Sequence, residues 1–243
     1  MAADAKAWID LYWLPLGAGG HVVRWNGRLY EWLSARRHHR PALDLYHAGL
    51  MVTSDGVTYA IEMGPVWNVP DSDRGVVLEG PVGARRLGRF RLFRYEVRCW
   101  AGGAFPDLAE AVDSPVRITE DPERVDRALS MLRGAPLLTW GRDELRAGEM
   151  WNSNSLVAWM LARSGQCLEG IEPPAGGRAP GWGAGLVLAE RQSTGSTWST
   201  HRDPGCDFPA GPSEAGPDTA PDPAGGGRSS PIRWFASTGG GWT

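Results

Sequence analysis

Residues 44–63, with the sequence DLYHAGLMVTSDGVTYAIEM, constrain the fold of this chain more than any other segment. Two runs of β-favouring residues flank Ser54, Asp55 and Gly56, and Asp-Gly is a preferred pair for a tight hairpin turn. We therefore predict a β-hairpin. Because a tight turn joins antiparallel strands, the sheet that contains this hairpin is expected to be antiparallel.

Two more strands are indicated after the hairpin. Residues 74–80, RGVVLEG, form a short β-favouring run. In residues 88–100, GRFRLFRYEVRCW, the side chains of Phe93, Tyr95 and Val97 alternate with charged ones. We expect these strands and the hairpin to form one antiparallel sheet or a partial barrel.

Two helices are predicted after the strands. Residues 121–134 have Asp121 as a plausible N-cap, Pro122 at the first helical position and Gly134 at the end. The second helix begins within residues 148–161, GEMWNSNSLVAWML, whose apolar run predicts about three buried turns. The sequence therefore predicts an α+β fold, in which the sheet packs against a few helices.

A change in composition near Glu190 divides the chain. Beyond it the sequence is rich in Gly, Pro, Ser and Thr and cannot bury enough apolar area to offset its conformational entropy. We predict one domain over residues 1–189 and a disordered tail over residues 190–243. No run of about 18 apolar residues predicts a membrane span, and the first residues lack a secretory pattern, so we expect a cytoplasmic protein.

Charge and cysteine content bear on partners and cofactors. The net charge of -3 gives no sign of the basic domain that nucleic-acid binding usually requires. Lys6 is the only lysine, and this arginine bias is typical of a GC-rich bacterial genome. The three cysteines are widely separated and form no Cys-x-x-Cys pair, so we expect reduced thiols. Neither a metal nor a cofactor is predicted.

A polar cluster, Asn152, Ser153, Asn154 and Ser155, stands at the start of the second predicted helix. The first N–H groups of a helix lack intrahelical partners and carry a partial positive charge. One polar side chain can cap such a terminus, and four are more than a cap needs. The cluster therefore fits either a helix cap or a catalytic site.

The order of these parts resembles that of the circularly permuted papain-like families, namely the NlpC-type permuted hydrolases, the lecithin retinol acyltransferase-like proteins and the PPPDE peptidases. In those families a histidine on a strand comes first, and a nucleophilic cysteine follows at a helix N-terminus beside asparagine. LYHAGL and WNSNSLVAWML are similar to these two motifs, within residues 43–165. The resemblance implies a permuted papain-like core with Ser153 at the position of the cysteine.

The resemblance also implies a role for each polar residue. Ser153 would be the nucleophile and His47 the general base, which a hydroxyl requires because it is harder to deprotonate than a thiol. Glu62, on the neighbouring strand, would orient His47. Asn152 or Asn154 would assist backbone N–H groups in holding an oxyanion.

Structural interpretations stay open for these residues. His47 also fits a histidine satisfied within the sheet, Glu62 an exposed strand carboxylate, and Ser155 competes as the nucleophile. Arg178 and Trp182 are weak candidates for substrate contacts, and their Gly- and Pro-rich surroundings fit a rigid surface loop equally well.

Two functions follow from this reading. The first is a hydrolase or acyl-transfer enzyme acting on an amide or ester bond of a small molecule, peptide or lipid. The alternative is a catalytically inactive papain-like scaffold that binds a peptide or lipid. A third hypothesis, single-stranded nucleic acid bound by the arginines and aromatics of residues 85–98, conflicts with Glu96 and the negative net charge. We therefore expect no nucleic-acid partner.

Overall fold

The structure is a computed structural model that describes residues 6–16, 31, 35–37, 39–66, 75–105 and 107–194. The chain divides into two units, residues 1–198 and 199–243, and every described residue belongs to the first. Most of the predicted tail therefore lies outside the described residues.

The described residues contain both strands and helices, as predicted. The strands are β1 (Trp8–Pro15), β2 (Asp44–Ser54), β3 (Val57–Pro65), β4 (Val76–Pro81), β5 (Arg94–Ala101), β6 (Val112–Thr119) and β7 (Gly177–Arg178). The helices are α1 (Pro122–Met131), α2 (Ser153–Arg163) and α3 (Trp182–Thr194). Within this part of the chain, no helix combines the length and the apolar character that crossing a membrane requires.

The sheet is antiparallel, which confirms the predicted α+β fold class. Its strand order is β4-β5-β3-β2-β1-β6, and β7 adds a short parallel pairing at the start of β2. The predicted hairpin is formed by β2 and β3. Its turn residues Asp55 and Gly56 have φ angles of 51° and 77°, and positive φ at both positions is what a type I′ turn requires.

Several elements differ from those predicted. β1 and β6 were not predicted. Residues 88–93 do not extend β5; they lie in two 3₁₀ turns, Arg85–Arg89 and Arg91–Phe93, with Phe90 between the turns. Residues 182–194, expected to be loop and tail, form α3, so the folded part continues past the predicted boundary at Glu190. Cys99 is a free thiol, as expected, and Cys206 lies outside the described residues.

The helices pack on one face of the sheet. Side chains alternate between the two faces of a strand, and on β2 Tyr46, Ala48, Leu50 and Val52 belong to the main hydrophobic core. The same core contains the buried apolar residues of α2, among them Trp159, which is 4 % exposed. This face therefore carries most of the burial that stabilises the fold.

A smaller apolar cluster covers the other face of the sheet. It is built on the buried residues Leu14, Ala60 and Phe105. The ring of Phe105 lies against Gly49, where an added Cβ would come within 2.7 Å of Phe105 Cζ, so only glycine fits. Phe105 is thereby seated beside the part of β2 that carries His47.

The end of α3 is tied to the core by polar contacts. Trp159 Nε1 donates to Gln192 Oε1 at 2.8 Å, and Arg191 Nη1 donates to Leu145 O at 2.7 Å. A chain that ends after Glu190 should therefore melt at a lower temperature than one that ends after Thr194. Both lack the tail, so calorimetry of the two chains isolates the last turn of α3. Equal melting temperatures would contradict this role.

Replacement of Trp159 by Ala should lower the free energy of unfolding by about 3 to 5 kcal/mol, because it removes a large aromatic side chain from the core. Urea denaturation measures this difference. Gln192→Ala is the control, since it removes only the hydrogen bond and should cost about 1 kcal/mol. A loss below about 1 kcal/mol for Trp159→Ala would show that the core does not depend on this side chain.

Candidate functional site

The N-terminus of α2 is closed by a capping box. Asn152 is the N-cap residue, and its Oδ1 accepts from the backbone N–H groups of Asn154 at 3.0 Å and Ser155 at 3.3 Å. In return, Ser155 Oγ accepts from the backbone N–H of Asn152 at 3.1 Å. The cap interpretation of the polar cluster is therefore confirmed for Asn152 and Ser155.

Asn154 joins α2 to β2. The backbone N–H of Ala48 donates to Asn154 Oδ1 at 2.7 Å, and Asn154 Nδ2 donates to Tyr46 O at 3.0 Å. β2 pairs with β3 only from Leu50 onward, so the side-chain amide occupies hydrogen-bonding positions that a neighbouring strand would otherwise fill. Because Tyr46 and Ala48 flank His47, this bridge fixes the start of α2 beside the histidine.

Residues 180–181 fasten the same terminus from outside. Pro180 O accepts from Asn152 Nδ2 at 2.8 Å and from Asn154 Nδ2 at 2.9 Å. Gly181 O accepts from Ser155 Oγ at 2.7 Å. Gly181 has a φ of +90° and an added Cβ would collide with the Asn152 side chain, so this position requires glycine.

Ser153 is the one member of the cluster that neither caps nor anchors the helix. It is the first residue of α2 and is 5 % exposed. Asn152, Asn154 and Ser155 use their side chains in the contacts above, whereas within the described residues Ser153 Oγ has no hydrogen bond. Its hydroxyl is therefore available for chemistry.

His47 lies beside a carboxylate that the sequence analysis did not select. Its Nε2 is 3.6 Å from Asp107 Oδ2, which is longer than a hydrogen bond but within the reach of an ion pair. The neighbouring imidazole lowers the pKa of Asp107 below its ordinary value of 3.8, although partial burial acts in the opposite direction. Asp107 is therefore the carboxylate positioned to orient His47.

Glu62 is engaged elsewhere. β3 and β5 pair Glu62 directly with Arg98, and Arg98 Nη1 donates to Glu62 Oε1 at 2.9 Å. Arg98 Nε also donates to Glu96 Oε2 at 2.9 Å. Glu62 was expected to orient His47, but the strand register instead places it opposite the cationic side chain of Arg98.

The two asparagines differ in how many of their amide N–H groups are used. Asn154 Nδ2 donates to both Tyr46 O and Pro180 O, whereas Asn152 Nδ2 has one described bond, to Pro180 O, so only Asn152 keeps an N–H for the assisting role expected of these side chains. In the first turn of α2, the backbone N–H groups after Ser153 are also taken up by Asn152 oxygens. The N–H of Ser153 itself remains for an anionic oxygen.

Arg178 and Trp182 have structural contacts. Arg178 lies in β7, and its Nη1 is 3.5 Å from Glu31 Oε2. The ring of Trp182 packs against Trp13 with a centroid distance of 5.2 Å. Both residues hold the segment that includes Pro180 against the domain, which makes them supports of the α2 terminus.

Two observations describe the relation between Ser153 and His47. By alternation along β2, His47 lies on the Phe105 face of the sheet, whereas the body of α2 packs on the opposite face. The terminus of α2, however, lies at the edge of β2, since the Asn154 amide meets backbone groups that lie in the plane of the sheet. In the described part of the chain, no hydrogen bond joins Ser153 Oγ to His47.

No group of three or more His, Cys, Asp or Glu side chains is arranged to hold a metal ion in the described ranges. The donors near His47 are instead one imidazole and one carboxylate. Such a pair suits proton transfer, in which the carboxylate fixes the ring and stabilises its protonated form.

The contact between His47 and Asp107 should make the free energy of unfolding depend on pH in the acidic range. Because the folded pKa of Asp107 is depressed, its carboxylate adds stability above its ordinary pKa of 3.8, and this contribution is lost as the pH falls through the lower folded value. The difference in unfolding free energy between wild type and Asp107→Asn should therefore shrink between about pH 5 and pH 1. His47→Gln should remove this pH dependence in a double-mutant cycle, and a difference that stays constant would argue against the pair.

Comparisons of this chain with protein-family models, curated proteins and solved structures found no match. The papain-like resemblance consequently remains a hypothesis based on the order of elements and two short motifs within residues 43–165. Functional conclusions must come from the geometry around His47, Asp107 and the start of α2.

Proposed function

We propose that this protein is a hydrolase or acyl transferase acting on an amide or ester bond. Ser153 is the nucleophile, His47 the general base, and Asp107, in place of Glu62, the carboxylate that orients the base. The observation that carries this proposal is the Asn154 amide, which bonds to the residues on both sides of His47 and so holds Ser153 in its neighbourhood.

The contact with Asp107 supports a role for each nitrogen of His47. Nε2 lies 3.6 Å from Asp107 Oδ2, and in the proposed mechanism it carries the proton while Nδ1 accepts one from Ser153 Oγ. As the Oγ–acyl bond forms, the carbonyl electrons move to the oxygen, where the Ser153 N–H stabilises them. The leaving group then departs with the proton from Nδ1. Water, or another acceptor, releases the acyl group from Ser153.

The distance that must close is the one between Ser153 Oγ and His47. Catalytic hydrogen bonds are often long in free enzymes and shorten when substrate binds, so a hydrogen-bonded dyad in the free protein is not a requirement. The buried anchors on Asn152, Asn154 and Ser155 keep the helix terminus fixed while only the two reacting side chains rotate.

A second candidate is a catalytically inactive scaffold that binds a peptide or lipid. Two observations favour it: Asn154 uses both of its amide N–H groups within the protein, and among the described residues Ser153 has no hydrogen bond to His47. In this alternative the serine hydroxyl and the Ser153 N–H would contact a ligand without forming a covalent bond to it.

Labelling with a fluorophosphonate probe, located by peptide mass spectrometry, separates the two candidates. The enzyme should be labelled at Ser153, and His47→Gln should slow labelling by at least about 100-fold because the base is absent. Asp107→Asn should slow it as well. Glu62→Gln is the matched control and should label at the wild-type rate, because Glu62 pairs with Arg98. Absence of labelling at Ser153 would reject the enzyme.

Ser153→Cys tests the site itself. A thiol at a helix N-terminus beside an imidazole has a lowered pKa, whereas burial raises the pKa of the native Cys99. Iodoacetamide should therefore alkylate the introduced cysteine faster than Cys99. A slower reaction would show that the terminus of α2 does not activate a nucleophile, and would remove the papain-like assignment.

A further inference from the structure

Residues 85–92, RRLGRFRL, form an exposed segment between β4 and β5 that the proposed active site does not use; we call it the basic loop. Two 3₁₀ turns carry it, and neither turn contains a buried residue. Phe90 is 48 % exposed and Leu92 is 68 % exposed. Two large apolar side chains of this exposure, two residues apart in the sequence, suit a surface that contacts an apolar partner.

The charge around these two residues has one sign. Residues 80–95 contain five arginines and no acidic residue, although the whole chain is negative. Arg85 pairs with Glu144 and Arg94 with Glu79, so these two are partly neutralised from outside the loop. In the described residues no ion pair involves Arg86 or Arg89, and both are exposed.

Arg89 and Phe90 also form an amphipathic unit. The Arg89 guanidinium lies 4.6 Å from the centre of the Phe90 ring. A cation on an aromatic ring combines an apolar body with a charged end, which suits the boundary between acyl chains and phosphates. Leu92, two residues further on, adds an aliphatic side chain with no polar group.

The structure also weakens the nucleic-acid hypothesis for this region. Bases stack on exposed aromatic faces, but Tyr95 is 1 % exposed, so of these two rings only Phe90, with Arg89 against one face, offers a surface to a base. Arg98 is held by Glu62 and Glu96. The most exposed large apolar residue of the loop is the aliphatic Leu92, which suits lipid better than bases.

We propose that the basic loop docks the protein onto an anionic membrane surface. Phe90 and Leu92 enter the interfacial region, and Arg86 and Arg89 contact lipid phosphates. Anionic lipid attracts nearby arginines, and this attraction weakens with salt. The proposal does not depend on the chemistry proposed for Ser153.

Sedimentation of the full chain with vesicles tests the proposal. Vesicles of phosphatidylcholine with phosphatidylserine should carry the protein into the pellet, and vesicles of phosphatidylcholine alone should not. Higher salt should lower the bound fraction. Failure to bind the anionic vesicles at low salt would overturn the proposal.

Two pairs of variants locate the contact. Arg86→Gln with Arg89→Gln should weaken vesicle binding about 25-fold, since each arginine near an anionic surface contributes about five-fold. Arg142→Gln, at an exposed arginine elsewhere, should not weaken it. Leu92→Ser should also weaken binding, whereas Leu137→Ser, at a residue 50 % exposed, should not.

The remaining outcomes are equally decisive. Binding that the Arg142 and Leu137 controls reduce as much as the loop variants would reject the basic loop as the docking site. The surface would be assigned to nucleic acid if a single-stranded oligonucleotide bound the loop and competed fully with anionic vesicles. It would have to do so at a lower concentration than free phosphatidylserine. Circular dichroism of each variant verifies that the fold is retained.

Discussion

The side-chain amide of Asn154 is the contact on which the arrangement of the candidate site depends. It is 2 % exposed and joins three segments, because it accepts from Ala48 and donates to Tyr46 and Pro180. Removing it would leave buried backbone groups unpaired, at about 1 to 3 kcal/mol for each. This amide thus contacts helix, strand edge and loop at once, beside the bonds of Asn152 and Ser155 to residues 180–181, and the neighbourhood of His47 and Ser153 follows from that.

Local signals account for the parts of the fold that the sequence predicted. The β2–β3 turn contains Asp-Gly, and α1 begins at Asp121, whose side chain accepts from the N–H of Glu123 at 2.9 Å. Both signals act within a few residues, so they are visible without tertiary structure. α3 was not predicted because its start is Gly-rich. Its first turn is completed by a distant residue, since Gly183 N–H donates to Glu149 Oε2 at 3.0 Å.

The difference between local and tertiary signals also explains why the carboxylate beside His47 was not predicted. Glu62 seemed suitable because it lies on the strand next to His47, but the β3–β5 register, which the sequence does not reveal, places Arg98 opposite it. Asp107 lies in an irregular segment, and it reaches His47 because Phe105 packs on Gly49. The available signal was Gly49 itself: a glycine two residues after His47 on the same face of β2 leaves room for another segment to cross there.

Ser153 differs from the other three residues of the polar cluster, whose side chains cap or anchor the helix. Its Oγ has no hydrogen bond among the described residues, yet it is not one of their fully buried polar atoms left without a partner, so it keeps some contact with solvent. Capping does not explain Ser153, because Asn152 and Ser155 already complete the box. Its hydroxyl therefore lies at a helix terminus that Asn152, Asn154 and Ser155 hold in place, which is the arrangement that a bound ligand or the proposed nucleophile would require. Under the proposed function, the His47–Asp107 pair is what would distinguish a reacting serine from one that only binds.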